Sequence, residues 1–164
     1  MPGILSSLLI ISRHFLDIRC QHHGIHVISH RPGKTHFNYM NLGMKILIVD
    51  DFITMRRIIK GSLKKIGFNN IIEAEDGNMA LSEMKKDKID LVISDWNMPH
   101  MTGLELLKAI RKDQALKDVP FIMVTAEEQR ENVLHAVQEG VNNYVIKPFT
   151  PEVLAEKIKK VFKE

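Results

Sequence analysis

The sequence predicts an α/β domain in which a doubly wound parallel sheet of five strands is covered by five helices. Two observations predict it. Between residues 44 and 164, short runs rich in branched apolar residues alternate five times with longer segments whose apolar residues recur at helical spacing. Glycine, proline and other turn-forming residues separate these segments. The alternation is typical of parallel strands joined by right-handed crossovers, which place helices on both faces of the sheet.

The predicted strands are short and apolar, and they cover residues 45–49, 71–74, 90–94, 120–124 and 143–146. A helix is predicted after each strand. The last helix begins at Thr150-Pro151, with a hydroxyl at the cap and proline in the first turn. The other four helices are marked by apolar or turn-forming residues: Met55, Ile58, Ile59, Leu63, Ile66 and the stop Gly67; Asp76, Gly77, Asn78, Ala80, Leu81 and Met84; Leu104, Leu107 and Ile110; Val133, Leu134, Val137 and the stop Gly140.

The composition changes at Met44. Residues 1–43 hold six of the eight histidines, no glutamate, and apolar residues without a sustained period. We therefore predict a domain over 44–164 and assign 1–43 to an extension outside it. Three explanations for the extension stay open: a start codon placed too far upstream, a flexible extension, and a targeting or partner-binding arm.

Charge and cysteine content narrow the functional classes. The chain has 23 basic and 20 acidic residues, and four basic and one acidic residue lie in 1–43. Residues 44–164 therefore carry 19 of each, so the net charge of +3 belongs to residues 1–43 and is no evidence for a nucleic-acid-binding face on the domain. The single Cys20 excludes an internal disulfide and is typical of a reducing compartment. The apolar run at 3–11 is too short to span a membrane and lacks the basic start of a secretory signal, so we predict a cytoplasmic protein.

Polar residues stand where four of the predicted strands end. The first strand ends at Asp50-Asp51, the third at Asp95, the fourth at Thr125 and the fifth at Lys147. Ligands of open parallel sheets bind at the carboxyl ends of the strands, so we expect these side chains to converge. Three carboxylates in one crevice suit a hard divalent cation, for which we predict Mg²⁺, and a lysine there suits an incoming anion. Together they suit phosphoryl transfer, which depends on positioning and charge neutralisation.

Each of these residues also has an ordinary structural explanation when taken alone. The Asp50-Asp51 pair is equally suited to capping the next helix, and Thr125 to capping the helix after it. Asp95 alone is explained as a loop carboxylate and Lys147 as a solvated cation. Their joint occurrence at four strand ends favours the functional interpretation.

These motifs resemble the response-regulator receiver family. The resemblance is carried by VDD at 49–51, SDWNMP at 94–99 with Gly103, VTAE at 124–127 and YVIKPF at 144–149. It extends over all of 44–164, and the additional runs DDFITMRRI, GFNNI, EAEDG and GLELLKAIR are similar to those of single-domain chemotaxis regulators. The resemblance implies the flavodoxin-like strand order 2-1-3-4-5 known for this family.

The resemblance also implies roles for individual residues. Asp95 is then the phosphoacceptor, and Mg²⁺ is surrounded by Asp50, Asp51, Asp95 and the backbone carbonyl of Asn97. Lys147 contacts the phosphoryl group and Thr125 is drawn toward it. Tyr144 changes its rotamer and links the site to a partner face formed by the fourth helix, fifth strand and fifth helix, where Lys157 and Lys160 are candidate contacts. Asn97 and Glu127 flank the site and influence self-dephosphorylation.

By this resemblance the chain is a signalling protein rather than an enzyme, and a monomer. Its expected partners are a histidine kinase, the flagellar motor switch and a phosphatase. One alternative is a phosphorelay shuttle, and another is a Mg²⁺-dependent phosphohydrolase with an aspartyl-phosphate intermediate. Against the second, such enzymes usually carry a D-x-D pair, whereas Asp95 is followed by Trp96-Asn97. Thr102 departs from the family pattern, which usually has aspartate there.

Two further patterns carry little functional weight. His22, His26 and His30 recur every four residues, but Gly24 and neighbouring β-branched residues disfavour the helix that would align them for a metal. Trp96 is expected to form an apolar lid near the acidic pocket and to report metal binding by its fluorescence. No glycine-rich phosphate loop occurs, so a bound nucleotide is not the expected phosphoryl donor.

Overall fold

The computed structural model describes residues 41–126 and 130–162, with side chains described from residue 133 onward in the second range. Strands and helices alternate strictly through these residues. The elements are β1 (Ile46–Val49), α1 (Ile53–Ile66), β2 (Ile71–Ala74), α2 (Gly77–Lys86), β3 (Leu91–Asp95), α3 (Gly103–Lys112), β4 (Phe121–Thr125), α4 (Arg130–Gln138), β5 (Asn143–Ile146) and α5 (Pro151–Val161).

The five strands form one parallel sheet in the order β2-β1-β3-β4-β5. The predicted fold class and strand order are therefore confirmed. The order reverses direction at β1, where the chain leaves one edge for the other. In sheets of this kind the crevice beyond the carboxyl ends at such a reversal is where ligands bind.

Alternating side chains of the strands supply two separate cores. In β1, Ile46 and Ile48 face the layer of α1 and α5, whereas Leu47 and Val49 face the layer of α2 and α3. All four residues are completely buried. A strand buried on both faces explains why the sequence reads as a continuous apolar run instead of alternating with polar residues.

The helix ends follow the predicted signals. Gly67 ends α1 with a left-handed φ of 117°, and its N–H donates to the carbonyls of Leu63 and Lys64. Asp76 caps α2 by accepting from the N–H of Met79, and Thr150 caps α5 in the same way. These contacts satisfy backbone groups that have no partner within their helix.

Three strands differ from the prediction by one residue: β1 begins one residue later, and β3 and β4 each begin and end one residue later. β3 runs through Asp95, because Asp95 still pairs with Val124 of β4. β4 begins at Phe121, one residue after the predicted start, since Pro120 has no N–H to donate to the ladder. Its carbonyl nevertheless accepts from the N–H of Val92 at 2.9 Å.

The predicted helix α4 is present, but two of the apolar residues that marked it point away from the sheet. Leu134 and Val137 are 59% and 55% exposed, whereas Ala136 is buried. The helix therefore meets the sheet through a small side chain and turns two larger apolar ones outward. Apolar spacing alone does not distinguish these faces, because three- and four-residue intervals connect both sets of positions.

Several predictions lie outside the described residues. The histidines at positions 22, 26 and 30 are among them, and so are Glu127 and all of residues 1–40. Within the described residues that precede the predicted domain start, Leu42 contacts the position that a side chain on Gly67 would occupy, at 3.3 Å. The N–H of Met44 donates to the carbonyl of Asn41 at 3.1 Å. Leu42 therefore lies beside the end of α1, and the hydrogen bond between Met44 and Asn41 is internal to this segment.

No helix within residues 41–126 and 130–162 has the length and apolar character needed to cross a membrane.

Candidate functional site

The parallel register brings the predicted polar residues to one edge of the sheet. Val49 of β1 pairs with Ser94 of β3, so Asp50 and Asp95 are the next residues of two adjacent strands. On the far side of β4, Thr125 pairs with Ile146 of β5, and Lys147 follows. The backbone N–H of Lys147 donates to the carbonyl of Thr125 at 2.8 Å. The expected convergence at the carboxyl ends of the strands is thus present.

Lys147 bridges two of the carboxylates. Its Nζ lies 2.6 Å from Asp95 Oδ1 and 3.0 Å from Asp50 Oδ2. Asp50 is completely buried, and Asp95 is 8% exposed. Their remaining oxygens accept from backbone N–H groups, those of Phe52 for Asp50 and of Asn97 for Asp95. The ammonium group therefore offsets the repulsion that two buried carboxylates would otherwise exert on each other.

Burial and pairing shift the pKa values of this pair. Desolvation raises the pKa of Asp95 above its ordinary range, and the hydrogen bond from Lys147 only partly opposes this. For Lys147, burial lowers the pKa, but hydrogen bonds to Asp95 and Asp50 outweigh it and the net shift is upward. Lys147 thus keeps its positive charge at neutral pH in a place where an anion can meet it.

Asp51 differs from Asp50 in its bonding. Its Oδ1 is buried and has no hydrogen-bond partner among the described atoms. An ionised carboxylate oxygen in such a position is costly unless a cation or water satisfies it. Asp51 does not cap α1, whose N-cap is Phe52 without a side-chain cap bond. Neither aspartate is the N-cap residue of α1, although Asp50 Oδ1 accepts from the N–H of that residue, Phe52.

The donor set fits Mg²⁺. Among the described side chains, no three acidic, histidine or cysteine groups are arranged to hold a metal together, and Lys147 lies between two of the carboxylates. Mg²⁺ does not require such a cage, since it usually keeps several waters and binds through one or two carboxylates. The unsatisfied oxygen of Asp51 beside Asp50 provides hard oxygen donors of this kind.

Thr125 and Tyr144 lie on the same face of the sheet but are not directly opposite each other. Thr125 is the last residue of β4 and is buried. The register pairs Tyr144 with Met123. The two side chains are therefore diagonal neighbours, a separation that a tyrosine ring can bridge.

One of the two predicted partner residues lies against the tyrosine ring. Tyr144 is half-buried, and Lys157 Nζ lies 4.9 Å from the centre of its ring, a cation–π contact. Lys160 is exposed and paired with Glu156 at 2.6 Å on the same helix. Lys157 is thus tied to the ring, while Lys160 lies one turn away in solvent.

Sequence reasoning missed Arg56. Its Nη1 donates to the backbone carbonyl of Asp50 at 2.7 Å and of Asp51 at 3.3 Å. Side chains of a helix lean toward its N-terminus, so a long basic side chain in the first turn reaches back over the preceding residues. That position, one turn after the aspartate pair, is the signal from which the contact was predictable.

The chain is similar to known proteins in sequence. The family model for the response regulator receiver domain matches residues 46–159. Chemotaxis protein CheY-3 of Vibrio cholerae is 55% identical over 123 residues, which cover 75% of this chain and 95% of that protein. Chemotaxis protein CheY of Pseudomonas aeruginosa is 56% identical over 119 residues, or 73% of this chain and 96% of that protein.

Solved structures give the same result. The chemotaxis response regulator CheY4 of Vibrio cholerae superposes with a TM-score of 0.68 at 36% identity, covering 73% of this chain and 99% of that one. The chain belongs to the response regulator receiver family. Within that family it is similar to chemotaxis proteins of the CheY type, which are signalling proteins and not classical enzymes.

Proposed function

We propose that this protein is a chemotaxis response regulator that accepts a phosphoryl group on Asp95 from a histidine kinase. The contact between Asp95 and Lys147 at the sheet edge carries the proposal. A carboxylate oxygen of Asp95 attacks phosphorus and forms an acyl phosphate, while the phosphorus–nitrogen bond of the phosphohistidine breaks. The electron pair of that bond returns to the imidazole, which takes up a proton.

Lys147 supports this transfer by its charge. The transferred group brings negative oxygens into a buried pocket that already holds Asp50 and Asp51. An ammonium group held 2.6 Å from the nucleophile can turn from the carboxylate to an oxygen of the incoming phosphoryl group. The upward pKa shift keeps it protonated for this role.

Receiver domains generally bind Mg²⁺ at an acidic pocket. Here Asp50, Asp51, Asp95 and the backbone carbonyl of Asn97 would hold it, and the unsatisfied Asp51 oxygen supports that assignment. When bound, Mg²⁺ would neutralise charge on the transferring phosphoryl group. Lys147 and the backbone N–H of Asn97 orient the carboxylate of Asp95.

The phosphoacceptor assignment is tested by comparing Asp95→Asn with Asp118→Asn. Asp118 is an exposed aspartate in the segment before β4, so its variant controls for loss of one acidic group. With acetyl phosphate and Mg²⁺, the wild-type chain and Asp118→Asn should gain one phosphoryl group by intact-mass measurement, and Asp95→Asn none. Undiminished labelling of Asp95→Asn at another residue would remove the assignment.

The proposed output is phosphorylation-dependent binding to the flagellar motor switch through α4, β5 and α5. Exposed apolar side chains on this surface support it: Leu134, Val137 and Ile146. Movement of the Thr125 hydroxyl toward the phosphoryl group would open space for the Tyr144 ring. A shift of this ring would in turn change its contact with Lys157. Phosphorylation then biases a two-state element, and the partner selects one state.

Affinity for a motor-switch peptide tests this output. Tyr144→Ala should still be phosphorylated but should lose most of the gain in affinity that phosphorylation gives. Lys160→Ala is a second probe of the same surface, where a smaller loss is expected because Lys160 is already paired in solvent. If Tyr144→Ala keeps both phosphorylation and the full gain in affinity, the coupling is wrong.

The remaining assignments form part of the same proposal. We infer a monomer in the cytoplasm that interacts with a kinase and a phosphatase and not with nucleic acid. We also infer that the receiver domain begins at Met44. A chain beginning at Met44 should fold and be phosphorylated like the full chain, and one beginning at Asn41 is its control because it keeps the contact from Asn41 to Met44. Loss of phosphorylation in both would place residues 1–40 within the functional unit.

A further inference from the structure

Arg56 holds the turn that carries the acidic pair. Its guanidinium binds the carbonyls of Asp50 and Asp51 from within the first turn of α1. The side chain is 13% exposed, so these contacts are largely shielded from water. Both carbonyls belong to residues whose carboxylates face the sheet edge, and the turn has no side-chain cap from α1 itself. Arg56 therefore ties this turn to the helix, in addition to the hydrogen bond from the Phe52 N–H to Asp50 Oδ1.

Glu73 of β2 orients the Arg56 side chain. Arg56 Nε lies 3.4 Å from Glu73 Oε2, close enough for an ion pair although not aligned as a hydrogen bond. Glu73 is in β2, and its other oxygen accepts from Lys60 Nζ at 2.5 Å. Contacts with Lys60 and Arg56 lower the pKa of Glu73, so it stays ionised beside the guanidinium at neutral pH. The turn after β1 is thereby connected to the neighbouring strand.

We propose that Arg56 is a positioning residue that preorganises the acidic turn at 50–51 for a divalent cation. The inference rests on the proposed function in so far as it assumes that Mg²⁺ binds there. Two effects of Arg56 oppose each other. Its charge repels a nearby cation, whereas its hydrogen bonds fix the backbone from which both carboxylates project. Partners of metal ligands typically change metal affinity 10- to 100-fold, so positioning should prevail.

Whether Mg²⁺ affinity rises or falls in a variant without Arg56 distinguishes repulsion by its charge from positioning by its hydrogen bonds. Arg56→Met removes the charge and the two carbonyl contacts, whereas Arg57→Met removes the charge of an exposed neighbour on the same helix. If Arg56 acts only through charge, both variants bind Mg²⁺ as tightly as the wild type or more tightly. If it positions the turn, Arg56→Met binds about 10-fold more weakly and Arg57→Met does not.

The measurement is a Mg²⁺ titration without any phosphoryl donor. Trp96, the only tryptophan, follows Asp95 and is half-buried, so its fluorescence reports the site, and calorimetry provides an independent value. The backbone N–H of Phe52 donates to Asp50 Oδ1. In metal-free Arg56→Met, this N–H should exchange with deuterium faster than in the metal-free wild type. Unchanged or tighter Mg²⁺ binding by Arg56→Met would overturn the inference.

Arg56→Lys keeps the result decisive if Arg56→Met does not fold. Lysine retains the charge and one donor group but not the planar fork, so Mg²⁺ binding should weaken while folding is preserved. Wild-type affinity in a folded Arg56→Lys chain would also overturn the inference. The two proposals are tested by different measurements. Phosphorylation of Asp95→Asn tests the phosphoacceptor, whereas Mg²⁺ binding by the Arg56 variants tests the positioning role.

Discussion

Gly103 lies against the backbone of the phosphoacceptor. It is the first residue of α3, and its N–H donates to the carbonyl of Trp96 at 2.8 Å. A Cβ added there would lie 2.0 Å from the carbonyl oxygen of Asp95, whereas ordinary contact begins at 3.4 Å. Gly103→Ala therefore forces the two atoms apart by about 1.4 Å. The obstacle is backbone, so no rotamer change relieves it.

The expected result has two parts. Overpacking of this kind should lower the free energy of unfolding by about 2–3 kcal/mol, the upper part of the usual range. Displacement of Asp95 by ~1 Å should also disturb its 2.6 Å contact with Lys147 and slow labelling by acetyl phosphate about 100-fold. Urea unfolding followed by circular dichroism measures the first part, and the rate of mass gain measures the second.

Gly61→Ala is the matched control. Gly61 is an exposed residue in α1, and no atom lies within 4 Å of an added Cβ. Alanine favours the helix over glycine, so this variant should gain about 0.5–1 kcal/mol and be labelled at the wild-type rate. Wild-type stability and labelling in Gly103→Ala would refute the steric reasoning.

Three other predictions concern the surroundings of the site. Thr102 caps α3 in a capping box with Glu105, so Thr102→Ala should lower the free energy of unfolding by about 1 kcal/mol in urea titrations. An unchanged free energy of unfolding would show that the cap does not stabilise the domain. His100 has a φ of 65°, so His100→Val should lower the free energy of unfolding by about 1–2 kcal/mol in the same measurement. His100→Asn should change it very little, because asparagine tolerates this conformation, and equal values for the two variants would contradict the strain argument. Arg111 donates to three backbone carbonyls and to Asn142 Oδ1, so Arg111→Lys should lower the free energy of unfolding by about 1–3 kcal/mol while Asp95 is still phosphorylated. Loss of phosphorylation in folded Arg111→Lys would show that Arg111 also acts on the site.

The departure of Thr102 from the family pattern has a local explanation in these contacts. Its hydroxyl accepts from the N–H of Glu105, and the Glu105 carboxylate accepts from the N–H of Thr102. Threonine therefore serves as the helix cap that aspartate would otherwise provide. The substitution preserves the start of α3, and with it the position of Gly103 beside Asp95.

The sequence by itself determined the fold class and the residues of the sheet edge. Apolar runs and helical spacing are local properties, and crossovers through helices make the strands parallel, so that all of them end at the same edge of the sheet. Polar residues directly after four such runs must then meet at one edge. The positions of Asp50, Asp95 and Lys147 were predictable for this reason, and their contacts agree with the prediction.

Only the tertiary structure decided which atoms of these residues meet. The bridging position of Lys147, the unpaired oxygen of Asp51 and the reach of Arg56 depend on distances between elements far apart in the chain. The outward face of α4 depends likewise on which side chain fits against the sheet, and the small Ala136 fits where Leu134 does not. Packing decides such questions, because several residues of one helix satisfy the same periodicity and only one face matches the available space.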